Sequence, residues 1–551
     1  IHQGDAKAPD GDIILRIAED GNVVWVDENN PQVLSAPPSD SAVSITGRAA
    51  HWVDASTVLW DHSEEVSSVE LLYSADATIR IVGSTFGGNY ETLELSATDN
   101  PQPANQLHLG GYPAYALPND AGDQAKDIAR SQIVAVGKNS LGLVVEATFV
   151  QIPGALDDLY AEAAADAELG AVYDGNAPTV RLWAPTALVE TGVTLNIYSD
   201  PDTLDETVDM TLDEDSGVWT AEGQASWDRK YYDFTLDVYT YALDSIVTNT
   251  VTDPYSVSLS MNSQRSQFVN LDDQDLRPAG WNSLALPAYG EPEDIVIYEQ
   301  HMRDYSASDF TVPEELRGKY KAFTLDNTDG HNHLQALSDA GLTHMHLLPS
   351  FDIATIEEDE EARVELDDPV DDLCEANSAA AGLCPEFSGM TIRELLEMKT
   401  EEDPASDFQQ QVVEWLRGLD GYNWGYDPWH YGVPEGSYAT DPDGVARIIE
   451  YREMVQGLAD KGLRLVIDVV YNHTNEGGQG PRSVLDRVVP GYYQRYNETS
   501  GAIETSTCCA NTASEFAMMG KLMDDTMIRF LEDYKITGFR YDLMGFHTLD
   551  Q

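Results

Sequence analysis

The stretch Gly538-Phe539-Arg540-Tyr541-Asp542-Leu543-Met544-Gly545 decides the fold. A long helical pattern, Phe516 to Tyr534, runs into it through Gly538, and the run that follows is apolar except for Arg540 and Asp542. In a strand, residues two apart point to one face, so the guanidinium and the carboxylate share a side. A carboxylate beside a cation keeps its charge. This describes either a poised nucleophile or a buried structural ion pair, since buried charges need partners.

Working back from there, the same grammar recurs twice. Leu334 to Ala340 gives way at Gly341 to the strand-like run Leu342 to Pro349, and Ile448 to Lys461 gives way at Gly462 to Leu463 to Val470. A further strand, Ile295 to Tyr298, stands ahead of them. Alternating β and α predicts a parallel sheet, either an open doubly wound sheet or part of a (β/α)8 barrel. The residues able to do chemistry fall at the carboxyl ends of these strands: Asp468-Val469-Val470-Tyr471-Asn472-His473 after one, Arg540 and Asp542 on the next. Active sites of α/β folds gather at that end. Alone, Asp468 reads as a partner for loop amides and His473 as a core or capping histidine; their shared placement is what points to a site.

The segment between the second and third strands is far longer than an ordinary connection and reads as a subdomain. It carries the acidic run Glu357 to Asp372, read as a solvated face. After it comes Tyr422-Asn423-Trp424-Gly425-Tyr426-Asp427-Pro428-Trp429-His430-Tyr431, whose aromatics read as flat platforms for sugar rings.

Upstream the period changes to two. Short alternating runs such as Val66 to Tyr73, Thr78 to Val82 and Leu141 to Val150, punctuated by Gly, Pro, Asn and Asp, predict a β-sandwich. A second one contains Thr179 to Pro185, Thr194 to Tyr198, Trp219 and the aromatic stretch Trp227 to Tyr241, and closes near Pro278-Ala279-Gly280-Trp281. Two sandwiches in series, with aromatics expected on their surfaces, read as binding modules. Residues 1–36 hold Lys7 and Asp12 in a polar loop and the runs Ile13 to Leu15 and Val23 to Val26, too little to bury a core alone.

The net charge of −65, from 96 acidic against 31 Lys and Arg residues, disfavours nucleic acid and anionic membranes as partners. Spread over all segments, the acid excess suits salty surroundings, where screening relieves self-repulsion. No run approaches the roughly 18 apolar residues of a membrane span, and no leader-like segment follows Ile1. Cys374 and Cys384 flank a Ser/Ala/Gly loop and read as a local disulfide, hence an exported protein. The adjacent Cys508 and Cys509 lack zinc-site spacing. No phosphate-loop or nucleophile-elbow motif is present, which disfavours other doubly wound enzymes.

These residues carry a resemblance. Asp468 to His473 and Gly538 to Met544 resemble two short motifs of the α-amylase superfamily, glycoside hydrolase family 13. Tyr422 to Pro428 resembles the YNWGYDP signature of type I pullulanases, its α-1,6 debranching branch. Pro434 to Tyr438, Tyr492 to Arg495 and the Cys508-Cys509 pair are similar to the large secreted pullulanases of Gram-negative bacteria. The resemblance implies a multidomain chain of N-terminal all-β sandwich modules followed by the first half of a (β/α)8 TIM barrel. Residues 1–36 resemble the tail of a pullulan-binding module, with Lys7 and Asp12 at ligand-contacting positions. Residues 37–165 resemble a pullulanase N-terminal β-domain, 166–286 a starch-binding module, and 287–551 the barrel half.

On the same resemblance Asp542 is the nucleophile, Arg540 the residue that keeps it ionised, His473 a hydrogen-bonder to the sugar and Tyr426 the ring beneath it. Trp424, Asp427 and Asn472, in the same motifs, are expected to bind substrate, and Asp468 to be mainly structural. Cys508 and Cys509 resemble a vicinal disulfide. No cofactor is required by the chemistry; structural calcium is expected, without assignable ligands. The implied reaction is hydrolysis of α-1,6 bonds in pullulan, amylopectin and limit dextrins with retention, by a secreted or cell-surface bacterial protein. The signature at Tyr422 disfavours an α-1,4 or mixed amylopullulanase. Retention needs a second carboxyl group roughly 5 Å from the nucleophile. It is expected after a fifth strand beyond Gln551, so the sequence reads as truncated at both ends and inactive as it stands. The alternative is a non-catalytic α-glucan-binding protein.

Overall fold

Period-two patterning becomes an eight-stranded sheet in the first part of the chain. Its order is Glu91–Glu94, Ser68–Ser74, Gln132–Lys138, Val144–Gln151, Ala50–Asp54, Thr57–Trp60, Ala114–Ala116 and Ser96–Thr98. Neighbours are antiparallel except Val144–Gln151 with Ala50–Asp54. Trp52, Trp60, Leu71 and Val134 fill its inner positions. The structure is a computed structural model. It describes residues 44–83, 85–118 and 122–549, and ahead of these only the backbone pairings of His2–Gln3 with Ala6–Lys7 and Trp25–Asp27 with Asn30–Leu34. Asp12 and the side chain of Lys7 therefore lie outside the described residues.

The chain divides into two compact units. One comprises the described residues up to Leu159 with Tyr239–Val247 and Tyr496–Ala502; the other comprises Tyr160–Val238, Thr248–Arg495 and the described residues from Ile503 onward. Within the second, Gly170–Asp174, Ala177–Trp183, Val218–Glu222 and Thr211–Asp213 form one sheet, and Thr203–Asp209, Val193–Asp200, Tyr231–Thr240 and Ser245–Val251 another. The aromatics expected on the surface here are core instead. Trp183, Trp219, Trp227, Tyr232 and Phe234 are buried, because large rings gain most by leaving water where a facing sheet can cover them.

Four parallel strands follow: β1 (Ile297–Gln300), β2 (His344–Leu347), β3 (Arg464–Val469) and β4 (Gly538–Tyr541), adjacent in that order. Between them run α1 (Asp329–Asp339), α2 (Ala446–Asp460) and α3 (Ala517–Tyr534). Thr328 starts α1 by accepting from the His331 amide with its hydroxyl, satisfying one of the amides a helix start leaves free. The register sets Asp468 on β3 beside Arg540 on β4. Gly538 lets β4 close on β3, since a Cβ there would meet Val466 Cγ2 at 2.8 Å.

The long insertion before α2 builds its own small core from Val364, Val370, Leu373, Phe387, Ile392, Leu395, Val412 and Leu416. The Cys374–Cys384 disulfide closes a loop at its edge, with Cα atoms 6.3 Å apart. A loop of this length is worth about 3 kcal/mol through restriction of the unfolded chain. Replacing both cysteines by serine is expected to lower protection of this cluster in hydrogen exchange by about a hundredfold, leaving β1 to β4 unchanged. Equal protection in the variant would show that the apolar cluster alone holds the insertion.

Candidate active site

At the carboxyl ends of β3 and β4, one guanidinium holds two carboxylates. Arg540 Nη1 donates to Asp468 Oδ1 and Oδ2 at 2.9 and 3.0 Å and to Asp542 Oδ1 at 3.0 Å. Asp468 is fully buried, whereas the Arg540 side chain is 44% exposed. In the Arg540–Asp542 pair the carboxylate side chain is 16% exposed, on the edge strand β4. Asn472 takes the other side, its Nδ2 donating to Asp542 Oδ2 at 3.2 Å and to the Asp542 carbonyl at 2.8 Å. The Asp542 amide donates to Val469 O. Leu543 follows at φ 45°, a left-handed conformation that costs a branched residue energy and ends the strand abruptly.

Tyr426 reaches in from the aromatic loop, its hydroxyl donating to Asp468 Oδ2 at 2.8 Å. Burial and this carboxylate push the phenol's pKa up, so the ring stays neutral. Gly425 permits the approach, because at φ +89° it crosses where a Cβ would meet Pro349 O at 2.7 Å. His473 is buried; its Nδ1 faces Asn472 Oδ1 and its Nε2 lies 2.9 Å from Tyr426 O. Burial lowers its pKa. Asp427 binds protein groups: Thr355 Oγ1 at 2.5 Å and Asn475 Nδ2 at 3.3 Å.

Of the aromatics expected as platforms, Trp424 is 60% exposed, and Tyr422 stacks on His301. Tyr431 is core, packed against Tyr471 with its hydroxyl on His473 O. Its place beneath the loop lets it satisfy a backbone carbonyl that sugar could not reach. His346, on β2, was not singled out in the sequence: its Nε2 stands 3.5 Å from Asp468 Oδ2 and its Nδ1 3.3 Å from Glu299 Oε2. Its position at the carboxyl end of a strand beside Asp468 was the available signal.

The expected vicinal disulfide is absent. Cys508 and Cys509 are free thiols, with sulfurs 2.7 Å apart. Burial pushes the Cys509 thiol up to about 12.

The acidic run is not wholly solvated either. Glu358 turns inward and joins Asp352 and Glu435 in a buried triplet. Arg447, fully buried on α2, donates to Glu358 Oε2 at 3.3 Å and stands 3.9 Å from Asp352 Oδ1. Glu435 accepts from the Ile353 and Ser437 amides, Glu358 from the Gly436 amide, and Asp352 from Ser263 Oγ, with His430 Nδ1 at its second oxygen. Among the described residues this is the one all-carboxylate cluster tight enough to share an ion. Its oxygens already meet N–H, O–H and guanidinium donors, so the set does not fit calcium, which wants six to eight free oxygen ligands.

Comparison with known proteins bears on all of this. Residues 47–158 match the Pullulanase N2 domain, 168–256 carbohydrate-binding module 48 (isoamylase N-terminal domain), and 353–422 the Pullulanase Ins domain. The chain is similar to a pullulanase of Klebsiella pneumoniae, with 41% identity over 93% of this chain and 47% of the relative. It is also similar to chloroplastic pullulanase 1 of Arabidopsis thaliana, with 37% identity over 93% of this chain and 50% of the relative. The crystal structure of the Klebsiella pneumoniae pullulanase in complex with maltotriose superposes with a TM-score of 0.87 at 41% identity, covering 92% of this chain and 55% of that one. The chain thus spans about half the length of the curated relatives it matches.

Proposed function

This chain belongs to the type I pullulanase family, and from that membership we propose that the whole protein hydrolyses α-1,6-glucosidic bonds in pullulan and branched α-glucans with retention at the anomeric carbon. The four parallel strands are the first half of a (β/α)8 barrel, and the sheets within 166–286 are its starch-binding module. The observation that carries the reading is the placement of Asp542. Arg540 holds one carboxylate oxygen and Asn472 the other, so the group is fixed and aimed, as a nucleophile must be.

In the first half-reaction Asp542 attacks the anomeric carbon and forms a glycosyl ester; water then releases the sugar. The leaving oxygen takes its proton from a second carboxylic acid, as retention requires. Tyr426 offers a neutral ring beneath the sugar, anchored by Asp468, and His473 meets the sugar hydroxyls. Trp424 is the exposed platform. Lys7 and Asp12 are the proposed glucan contacts of the pullulan-binding module. No cofactor enters the chemistry. The Cys374–Cys384 disulfide supports a secreted or cell-surface setting.

The test is to express the full coding region and assay pullulan, amylopectin and amylose for new reducing ends, following the product anomer by proton NMR. Reducing ends from pullulan but not amylose, released as the α-anomer, are expected. Release of the β-anomer would exclude a covalent role for Asp542. Glucan binding without any new reducing ends would make the protein a binding protein instead.

A further inference from the structure

We propose that the cavity between residues 303–319 and the start of the insertion is a further sugar-binding site, taking α-linked glucose units outside the active site. Its volume is about 340 Å3, within the range of roughly 300 to 1,000 Å3 of small-ligand sites. Four cationic side chains line it: Arg303, Arg317, Lys319 and Arg363. Only 31 of the 551 residues are Lys or Arg, so composition does not account for four of them around one cavity. The carboxylates of Glu360, Glu365, Asp367 and Asp368 line it as well and cancel their charge.

Not all of these groups are spent on protein. Lys319 Nζ pairs with Glu360 and donates to Ser437 O at 2.9 Å, and Arg303 Nη2 donates to Glu365 Oε2 at 3.0 Å. Arg317 and Arg363, both half-buried, are only partly used. Arg317 commits Nε to Val312 O at 3.1 Å, and Arg363 commits Nε and Nη2 to the Glu357 and Glu358 carbonyls. Among the described residues, both Nη groups of Arg317 and Nη1 of Arg363 lack an acceptor. These N–H groups ask for oxygen lone pairs. An anion is disfavoured, because the four carboxylates offset the cations and the chain carries a net charge of −65. A neutral polyol supplies acceptors to the guanidiniums and hydroxyl donors to the carboxylates. Phe310 adds the apolar face. It is 82% exposed, and the cavity-lining Arg317 guanidinium lies over its ring, 4.9 Å from the centroid. A single exposed ring needs no explanation by itself. Standing on a guanidinium with free N–H groups, it pairs a stacking surface with donors, and the slightly positive C–H groups of a sugar lie well on the negative face of an aromatic. The choice of an α-glucan rests on the hydrolase reading above, whose polymer this site would hold at a second point.

Hydrogen exchange read by mass spectrometry during a maltotriose titration tests the site on the chain as it stands. Protection is expected at 303–319 and 360–368, separately from the aromatic loop 422–431. Phe310→Ala and Arg317→Gln are each expected to weaken the protection of 303–319 about tenfold and to leave 422–431 unchanged; Trp424→Ala is expected to do the reverse. Phe310 is exposed enough for its replacement to leave the fold intact, which exchange in the absence of sugar checks. Inorganic phosphate is expected to protect neither region. Protection at 422–431 with none at 303–319 and 360–368, or affinity unmoved in both Phe310→Ala and Arg317→Gln, would overturn the proposal and leave the hydrolase reading standing. Protection of 303–319 by phosphate and not by maltotriose would overturn it too, making the cavity an anion site. No protection anywhere would count against both readings.

Discussion

Replacing Asp542 by asparagine in the full-length protein is expected to lower turnover on pullulan by at least about a thousandfold, or roughly 4 kcal/mol of barrier at 1.36 kcal/mol per tenfold. Glucan affinity is expected to stay within about threefold of wild type. An amide nitrogen cannot form the glycosyl ester, while its oxygen can still accept from Arg540 as the carboxylate does at 3.0 Å. On the other side the new NH2 would face the Asn472 amide nitrogen, 3.2 Å away in the parent. One hydrogen bond is lost there, worth about 1 kcal/mol, too little to explain a thousandfold effect. Kinetics and a glucan-binding isotherm on the same preparation separate the two contributions. Activity within about tenfold of wild type would take the nucleophile's role away from Asp542.

The second large effect is on stability. Arg447→Met should destabilise the second unit by about 3 to 5 kcal/mol, because it strands buried carboxylates without their cation. Arg447 is completely buried and also donates to the Pro434, Pro442 and Ser260 carbonyls. The sign of the pH dependence identifies the cause. Burial, with the neighbouring Glu358 and Asp352, pushes Glu435 up to about 8, and burial raises Glu358 as well. Unfolded, both ionise near 4.5. The contribution of Glu435 to stability is thus complete below about pH 4.5 and is lost as pH rises through about 8, and that of Glu358 is lost in the same direction. Without Arg447 the folded-state pKa values climb further, so the variant's deficit should be larger at pH 8 than at pH 5. Denaturant melts at both pH values measure it; equal deficits would assign the loss to packing alone.

The alternation of helices and strands was legible because each helical pattern breaks at a glycine directly before an apolar run, as at Gly341, Gly462 and Gly538. The strand bounds shifted by only a few residues. The Arg540–Asp542 contact was legible for a local reason, the two-residue period of a strand. Asn472 with Asp542 bridges β3 and β4 and could be placed only at the level of shared strand ends. The buried triplet was hidden for a different reason: Glu358 sits in a run of acids in a chain of 96 of them, and charge in sequence carries no sign of which side chain turns inward. Nor did Arg447 stand out, since α2 is buried on most of its faces and shows no clean polar stripe. The surface expected for Trp183, Trp219 and Trp227 failed similarly, because aromatic content reports size and not exposure.

The seam inside the second unit has a further consequence. Trp183 packs edge-on against Tyr492 at 4.8 Å, Thr252 Oγ1 meets His430 Nε2 at 2.7 Å, Arg529 donates to Ser256 O, and Arg452 donates to the carbonyls of Leu271 and Leu276. Modules on flexible linkers raise the local concentration of a captured polymer by an amount that falls as the linker lengthens. A module bolted down through buried contacts of this kind has no such tether. The module stands instead at one fixed distance and angle from the carboxyl ends of β3 and β4, like a guide rail. Lengthening the connection near Gly280 would change neither.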